Sequence, residues 1–246
     1  MTRTMILTFF LVCALCSGAQ AQLNLSGIMD AGVDATKAVT LSDDDVKTLA
    51  LSVRQKSDVS NPVAMPSNQY AQRLARLIKD MKVENAPKLD IKIYLVKDVN
   101  AFAIADGTIR VFAGLMDLMI DDEIRYVIGH EIGHISLGHT KKALQMAYAT
   151  SAARKAGAAS GTSGIATLSD SSLGDLTEKL VKSQFSQSQE NDADQYALNF
   201  MKYNKYDPKA AVTALRKLEK QFGNKGGMFS SHPAPGERAA ILEKSL

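Results

Sequence analysis

Between Ser42 and Met81 apolar residues recur every three or four positions, the spacing that lines one face of an α-helix. Val46, Leu49 and Val53 share such a face, and Ser42 with Asp45 forms a capping pair at its start. Asn61-Pro62 and Pro66 interrupt the pattern; Tyr70, Leu74, Leu77, Ile78 and Met81 restart it, and Pro87 closes the region. The period then changes. Asp90 to Val96 alternates apolar and charged residues, the signature of a half-buried strand. Asp106-Gly107 lies between Ala101–Ala105 and Thr108–Phe112, which predicts a hairpin with a two-residue turn.

Helical spacing returns with Ile124, Val127, Ile128, Ile132 and Ile135, after Asp121, Asp122 and Glu123, which are expected to supply the N-cap and an acidic first turn. Gly129 and Gly133 leave a smooth strip on this helix where another backbone can approach, and Gly138 offers its stop. From Ala143 to Leu173 alanine, glycine, serine and threonine dominate, which predicts a flexible connection; residues 156–172 are either a lid over the cleft or a disordered linker without function. Arg154 and Lys155 interrupt its apolar part and exclude a transmembrane helix there. One long helix is expected from about Asp175 to Tyr203. Another follows, capped by Asp207 with Pro208 at its first position and ended by Gly223. Ser231-His-Pro-Ala-Pro235 then reads as a loop before a last short helix. The whole is an α+β chain, mostly helical, with a small sheet beside the helix at 121–138.

Composition adds limits. With 246 residues, 46% of them hydrophobic, the chain can build one substantial core. A formal charge of +3 without a basic run or interleaved aromatics gives no footprint for nucleic acid. Residues 1–21 have the form of an export signal: Arg3, an apolar run from Met5 to Leu15, and Ala19-Gln20-Ala21 as the cleavage site. That run is too short for a stable membrane span. Cys13 and Cys16 both fall inside it, so cleavage leaves a chain without thiols or disulfides. Val12 and Leu15 precede these cysteines where a lipidation signal has a small residue, which disfavours lipid anchoring. Residues 22–40 read as a flexible extension and 41–246 as a single domain.

The chemistry is concentrated in His130-Glu-Ile-Gly-His134, an H-E-x-x-H pattern. On a helix the two imidazoles project from one face and can hold one metal ion, for which zinc is the suited metal. Glu131 is placed to take a proton from water. Glycine at 137 and histidine at 140 would mark a metzincin, but Leu137 and Thr140 stand there, with His139 one residue early and read as structural. A carboxylate from a second helix is the alternative third ligand. Glu190 and Asp194 lie one turn apart on a face shared with Ala197 and Met201, where acids are costly unless they bind something. Glu190 fits the metal, and Asp194 fits a hydrogen bond to a ligand imidazole. Asp192 points away.

These motifs together, H-E-I-G-H at 130–134 flanked by Ile128 and Ile135, S-Q-x-x-E-x-x-A-D ending at Asp194, Asn100-Ala-Phe-Ala103 and Ser231-His-Pro233, resemble the HtpX-like zinc metalloendopeptidases (metallopeptidase family forty-eight). The resemblance runs from about Leu41 to Arg238. It implies a gluzincin fold with one zinc ion on His130, His134 and Glu190, Glu131 as general base, and Asp194 supporting the site. It implies further that His232 reaches the zinc cleft, as an oxyanion stabiliser or as an occupant of zinc's open position, and that Arg238 braces its loop by a salt bridge. Asn100, Ala101, Phe102 and Ala103 are the candidate strand for pairing with a substrate backbone.

The expected activity is therefore hydrolysis of extended or unfolded polypeptides. The export signal places it in the periplasm or at the periplasmic face of the outer membrane of a Gram-negative bacterium, with peripheral membrane association, in protein quality control. An envelope chaperone or assembly factor with latent peptidase activity is the alternative. A zinc hydrolase of small molecules would require a closed polar pocket.

Overall fold

The computed structural model describes residues 41–84, 88–150, 168–223 and 231–246. The export signal, the extension to residue 40, Pro87 and Gly226-Gly227 lie outside the described residues.

The first helix, α1 (Asp43–Ser60), begins as its capping pair requires: the Ser42 hydroxyl accepts from the Asp45 N–H, and the Asp45 carboxylate accepts from the Ser42 N–H. Helix α2 (Gln69–Ile78) follows, with Leu74 and Leu77 buried. Strands β1 (Asp90–Tyr94), β2 (Ala101–Ala103) and β3 (Thr108–Phe112) form a sheet in the order β1-β3-β2. β1 runs parallel to β3, with Ile93 opposite Val111, and β2 runs antiparallel to it, with Phe102 opposite Arg110. β3 is therefore central and wholly buried, while β2 has no second strand partner among the described residues.

The connection between β2 and β3 differs from the two-residue turn expected. Three residues, Ala105 to Gly107, separate Ile104 from Thr108. The Ile104 N–H donates to the Thr108 carbonyl, and the Gly107 N–H donates back to Ile104. Gly107 supplies the positive φ of 93° that closes this bulged turn, and Asp106 Oδ1 accepts from the Thr108 N–H.

The sheet separates two apolar clusters because side chains alternate across it. Ile93, Ala101, Ile109 and Val111 face one core, shared with Leu74 and with the helices that follow β3. Tyr94, Phe102 and Phe112 face the other, with ring centroids 5.6 to 6.2 Å apart, against Val46, Leu49 and Val53 of α1. Full burial of each such aliphatic side chain contributes roughly 1.5–3 kcal/mol. Arg110 interrupts the apolar run of β3, yet it is fully buried and paired with Asp58 and Asp90, which ties α1 to β1 through the central strand.

After β3 come α3 (Ala113–Leu118) and α4 (Asp121–Ser136). Ile120 occupies the cap position of α4, and Glu123 reaches back to accept its N–H, so the expected acidic first turn works through its third residue. Gly138, with φ 74°, stops α4 as expected. Helix α5 (His139–Thr150) then carries seven residues beyond Ala143 into the segment read as a connection, and α6 (Asp170–Val181) takes over before it ends. The alanines there favour helix once α1 offers a surface to pack on. Residues 151–167 lie outside the described residues.

The long helix expected from Asp175 to Tyr203 is two. It breaks after Val181, and α7 (Gln187–Tyr203) restarts with a capping box between Ser186 and Gln189. Ser186 was a cap signal concealed by continuous helical spacing. Helices α8 (Lys209–Phe222) and α9 (Pro235–Glu243) complete the chain. α4 and α7 pack face to face through the glycine strip: a Cβ on Gly133 would meet the Ala193 carbonyl oxygen at 3.1 Å, and one on Gly129 would meet the Phe200 ring at 2.6 Å. The architecture is α+β and mostly helical, with the small sheet beside α4. Among the described residues no helix is long and apolar enough to cross a membrane.

Candidate active site

The glycine contact between α4 and α7 brings their polar residues together at the centre of the fold. His130, His134, Glu190 and His232 each offer one atom, all within 4.8 Å of one another, in a buried group able to hold a metal ion. His130 Nε2 is 3.0 Å from His134 Nε2 and 3.2 Å from His232 Nδ1. Glu190 lies against all three, 3.5 Å from His130 Nε2, 3.3 Å from His134 Nε2 and 3.0 Å from His232 Nδ1. Electron-pair donors converging this closely away from water are costly without a cation, and two or three imidazole nitrogens with one carboxylate oxygen are a donor set that suits zinc.

A layer of groups holds the cluster from behind. The Asp194 carboxylate accepts from the Tyr126 hydroxyl at 2.6 Å and from Arg238 Nε and Nη2 at 2.7 and 2.6 Å, and it lies 2.8 Å from His130 Nδ1. Arg238 also reaches Glu190, with Nη1 2.6 Å from Oε2. One guanidinium thus spans Glu190 and Asp194 of α7 and fastens α9 to it. Burial opposes the charge on Asp194, but Arg238 and the hydrogen bonds outweigh it and hold its pKa below the ordinary carboxylate value. The same balance, burial against Arg238 and the histidines, places Glu190 well below that value. For His130, burial and Arg238 press the pKa down, and hydrogen bonds to Asp194 and Glu190 lift it to about 9. Burial dominates at His134 and lowers it well below normal.

Glu131 projects from α4 next to this group. Burial raises its pKa, and His232, with Nε2 3.5 Å from Oε1, offsets part of the rise. His232 reaches the site from the loop before α9. That loop turns sharply at Ala234, which adopts a left-handed conformation (φ 56°, ψ 51°), unusual for a residue with a Cβ. The Phe185 N–H donates to the Ser231 carbonyl, and the Phe185 ring stacks on His134 with centroids 3.9 Å apart.

The candidates from the sequence therefore gather in one place, save the strand at 100–103, which lies to one side. Phe102 and Ala103 line a small cavity with Glu131 and His232, and α4 packs against β2. Asp192 is exposed, as expected. Three contributors have no signal in the sequence: Tyr126 behind Asp194, Phe185 over His134, and His139, whose Nδ1 is 3.1 Å from His134 Nδ1. His139 is structural in a specific sense, as it touches the far nitrogen of His134.

A mostly helical chain with a three-stranded sheet and a buried His/Glu cluster, two of whose histidines stand on an H-E-x-x-H helix, has the features of a metalloprotease. Residues 66–246 match peptidase family M48, and the chain belongs to that family. It is 42% identical to the metalloprotease LoiP of Escherichia coli (strain K12) over 237 residues, covering 96% of this chain and 93% of the relative. It is 38% identical to the metalloprotease YcaL of the same strain over 241 residues, covering 95% and 93%. The protease HtpX of Haemophilus ducreyi is 34% identical over 95 residues, 37% of this chain and 33% of the relative. The chain is a metalloendopeptidase of family M48.

Proposed function

We propose that this protein is an exported, zinc-dependent endopeptidase that cuts unfolded or misassembled proteins of the bacterial envelope, with residues 41–246 forming its single peptidase domain. The observation that carries the reading is the convergence of His130, His134 and Glu190 beside Glu131 on two helices held together by a glycine contact.

His130, His134 and Glu190 would hold the zinc ion. Bound there, it supplies Lewis acidity that polarises the scissile carbonyl and lowers the pKa of water. Glu131 accepts a proton from the attacking water as its oxygen bonds to the carbonyl carbon. The carboxyl group then gives that proton to the amide nitrogen as the C–N bond breaks. Asp194 fixes the orientation of His130, and Arg238 and Tyr126 fix Asp194. The edge at Asn100–Ala103, without a second strand partner among the described residues, would pair with the substrate backbone, which reads extended chain rather than sequence and so favours unfolded clients. Export rests on the pattern of residues 1–21, which implies a mature chain starting at Gln22 in the periplasm or at the inner face of the outer membrane. Two results test these points. Reduced, alkylated albumin should be cleaved while native albumin is spared, and equal cleavage of both would contradict the client class. The N-terminal residue of protein expressed in a Gram-negative host should be Gln22.

A second reading has its own observation. His232 Nδ1 sits among the metal-binding atoms, 3.0 Å from Glu190 and 3.2 Å from His130, where it would take the coordination position that a peptide carbonyl needs. In that resting state the protein would be a latent peptidase, able to hold clients as a chaperone or assembly factor at the same cleft.

A further inference from the structure

Thr140 stands on the first turn of α5, at the position where a metzincin has its third histidine, and nothing above gives it a role. It is 2% exposed, and its hydroxyl makes no hydrogen bond among the described residues. The same is true of Glu131 Oε1, which has His232 Nε2 3.5 Å away but no hydrogen bond. Both residues line one small, partly open cavity of about 20 Å³. Its remaining walls combine apolar side chains, among them Phe102, Leu180 and Phe185, with Ser183, Ser231 and His232.

Two buried side-chain oxygens without a hydrogen bond are unusual, and each costs on the order of 1–3 kcal/mol if it stays so. That they line the same cavity suggests a shared occupant. The space fits a single water, whose hydrogen-bonding capacity would satisfy both groups, and a polar site of this size is one that holds water.

We propose that Thr140 is a positioning residue for the general base: an ordered water bridges its hydroxyl to Glu131 Oε1 and fixes the carboxylate for proton transfer. This rests on the peptidase reading above. The water accepts from the Thr140 hydroxyl and donates to the carboxylate, so the bridge favours the ionised form that the base needs. It lies against the β2 side of Glu131, lined by Phe102 and Ala103, and it is part of the protein rather than the water consumed in hydrolysis.

The test compares wild type, Thr140→Val, which keeps the shape and removes the hydroxyl, and Thr140→Ser, which keeps the hydroxyl. All three are loaded with zinc and assayed on a fluorogenic peptide spanning a casein cleavage site. The bridge predicts that kcat falls roughly 3- to 10-fold in Thr140→Val with KM unchanged, and is restored in Thr140→Ser. Crystals of the wild type should show a water within hydrogen-bonding distance of Thr140 Oγ1 and Glu131 Oε1, lost in Thr140→Val, and the melting temperature of that variant should fall by roughly 2–4 °C. If the hydroxyl is simply unsatisfied, Thr140→Val melts higher, kcat stays the same and no water is found, which would overturn the proposal. A wild type with zinc bound that cuts no peptide would count against the peptidase reading alone, and the crystallographic water and the melting shift would still decide the bridge.

Discussion

His130 Nδ1 lies 2.8 Å from Asp194 Oδ1, on the side of the ring opposite the nitrogen that faces Glu190 and His134. This pairing makes Nδ1 the protonated nitrogen and leaves Nε2 free to donate its electron pair to a metal. Asp194 is itself held by Tyr126 and Arg238, so the orientation of His130 is set by three other side chains. Replacing Asp194 with asparagine keeps the shape but weakens the charge that holds the ring. Zinc affinity, measured by competition with a chelating dye, should fall roughly 10- to 100-fold. Unchanged affinity would remove Asp194 from the account.

His232→Ala tests the resting state. With Nδ1 among the metal-binding atoms, removing the imidazole should leave zinc bound, since His130, His134 and Glu190 remain. Hydrolysis of an unfolded protein should then rise, because the position facing the carbonyl is vacated. A fall in kcat with zinc retained would instead assign His232 to stabilising the oxyanion, which is worth roughly 10²- to 10³-fold at related positions.

The buried Arg110 gives a stability prediction away from the site. It bonds Asp58 through Nε and Nη2 at 2.8 and 3.0 Å and Asp90 through Nη2 at 3.0 Å. Asp58→Asn leaves Arg110 half-compensated in the core. Because Asp58 is 27% exposed and Asp90 remains, the cost is about 1–2 kcal/mol rather than that of a fully buried pair. Burial pushes the pKa of both carboxylates up, but Arg110 outweighs it and lowers them. A carboxylate depressed in the folded state stabilises above its unfolded pKa, about 3.9, and loses that contribution as pH falls through the folded value. The melting temperature of the wild type should therefore drop below about pH 4, and that of Asp58→Asn should drop less over the same range.

The glycine strip predicts coupling between packing and metal. A side chain at Gly133 meets backbone of α7 at Ala193, which cannot turn aside. Gly133→Val should cost about 1–3 kcal/mol by overpacking and push α7, with Glu190 and Asp194, away from the histidines. Chemical denaturation and zinc affinity should fall together. A loss of stability with intact affinity would mean that the helices separate elsewhere.

Much of this site was legible because its parts carry local periodicity. His130 and His134 declare themselves by spacing on one helix, and Glu190 and Asp194 by standing one turn apart on a face that is otherwise apolar. The caps at Ser42 and the stops at Gly138 and Gly223 were readable for the same reason. What escaped was set by tertiary contact. Tyr126 reads as an ordinary core aromatic until Asp194 is opposite it, and Phe185 reads as a helix residue until the break after Val181 lays it on His134. His139 looked unconnected because it stands five positions after His134, across the turn at Gly138. The alanine-rich start of the 143–173 segment turned out helical to Thr150, since composition alone does not show that α6 packs on it.

The central claim is that Glu131 activates water at a metal held by its neighbours. Hydrolysis of casein by the zinc-loaded protein, run beside zinc-loaded Glu131→Gln, tests it most directly. The account predicts cleavage by the wild type, loss of at least about 10²-fold in the variant, and equal zinc content in both. Comparable cleavage by Glu131→Gln would contradict it, and zinc bound with no cleavage by either would favour the latent peptidase with His232 among the metal-binding atoms.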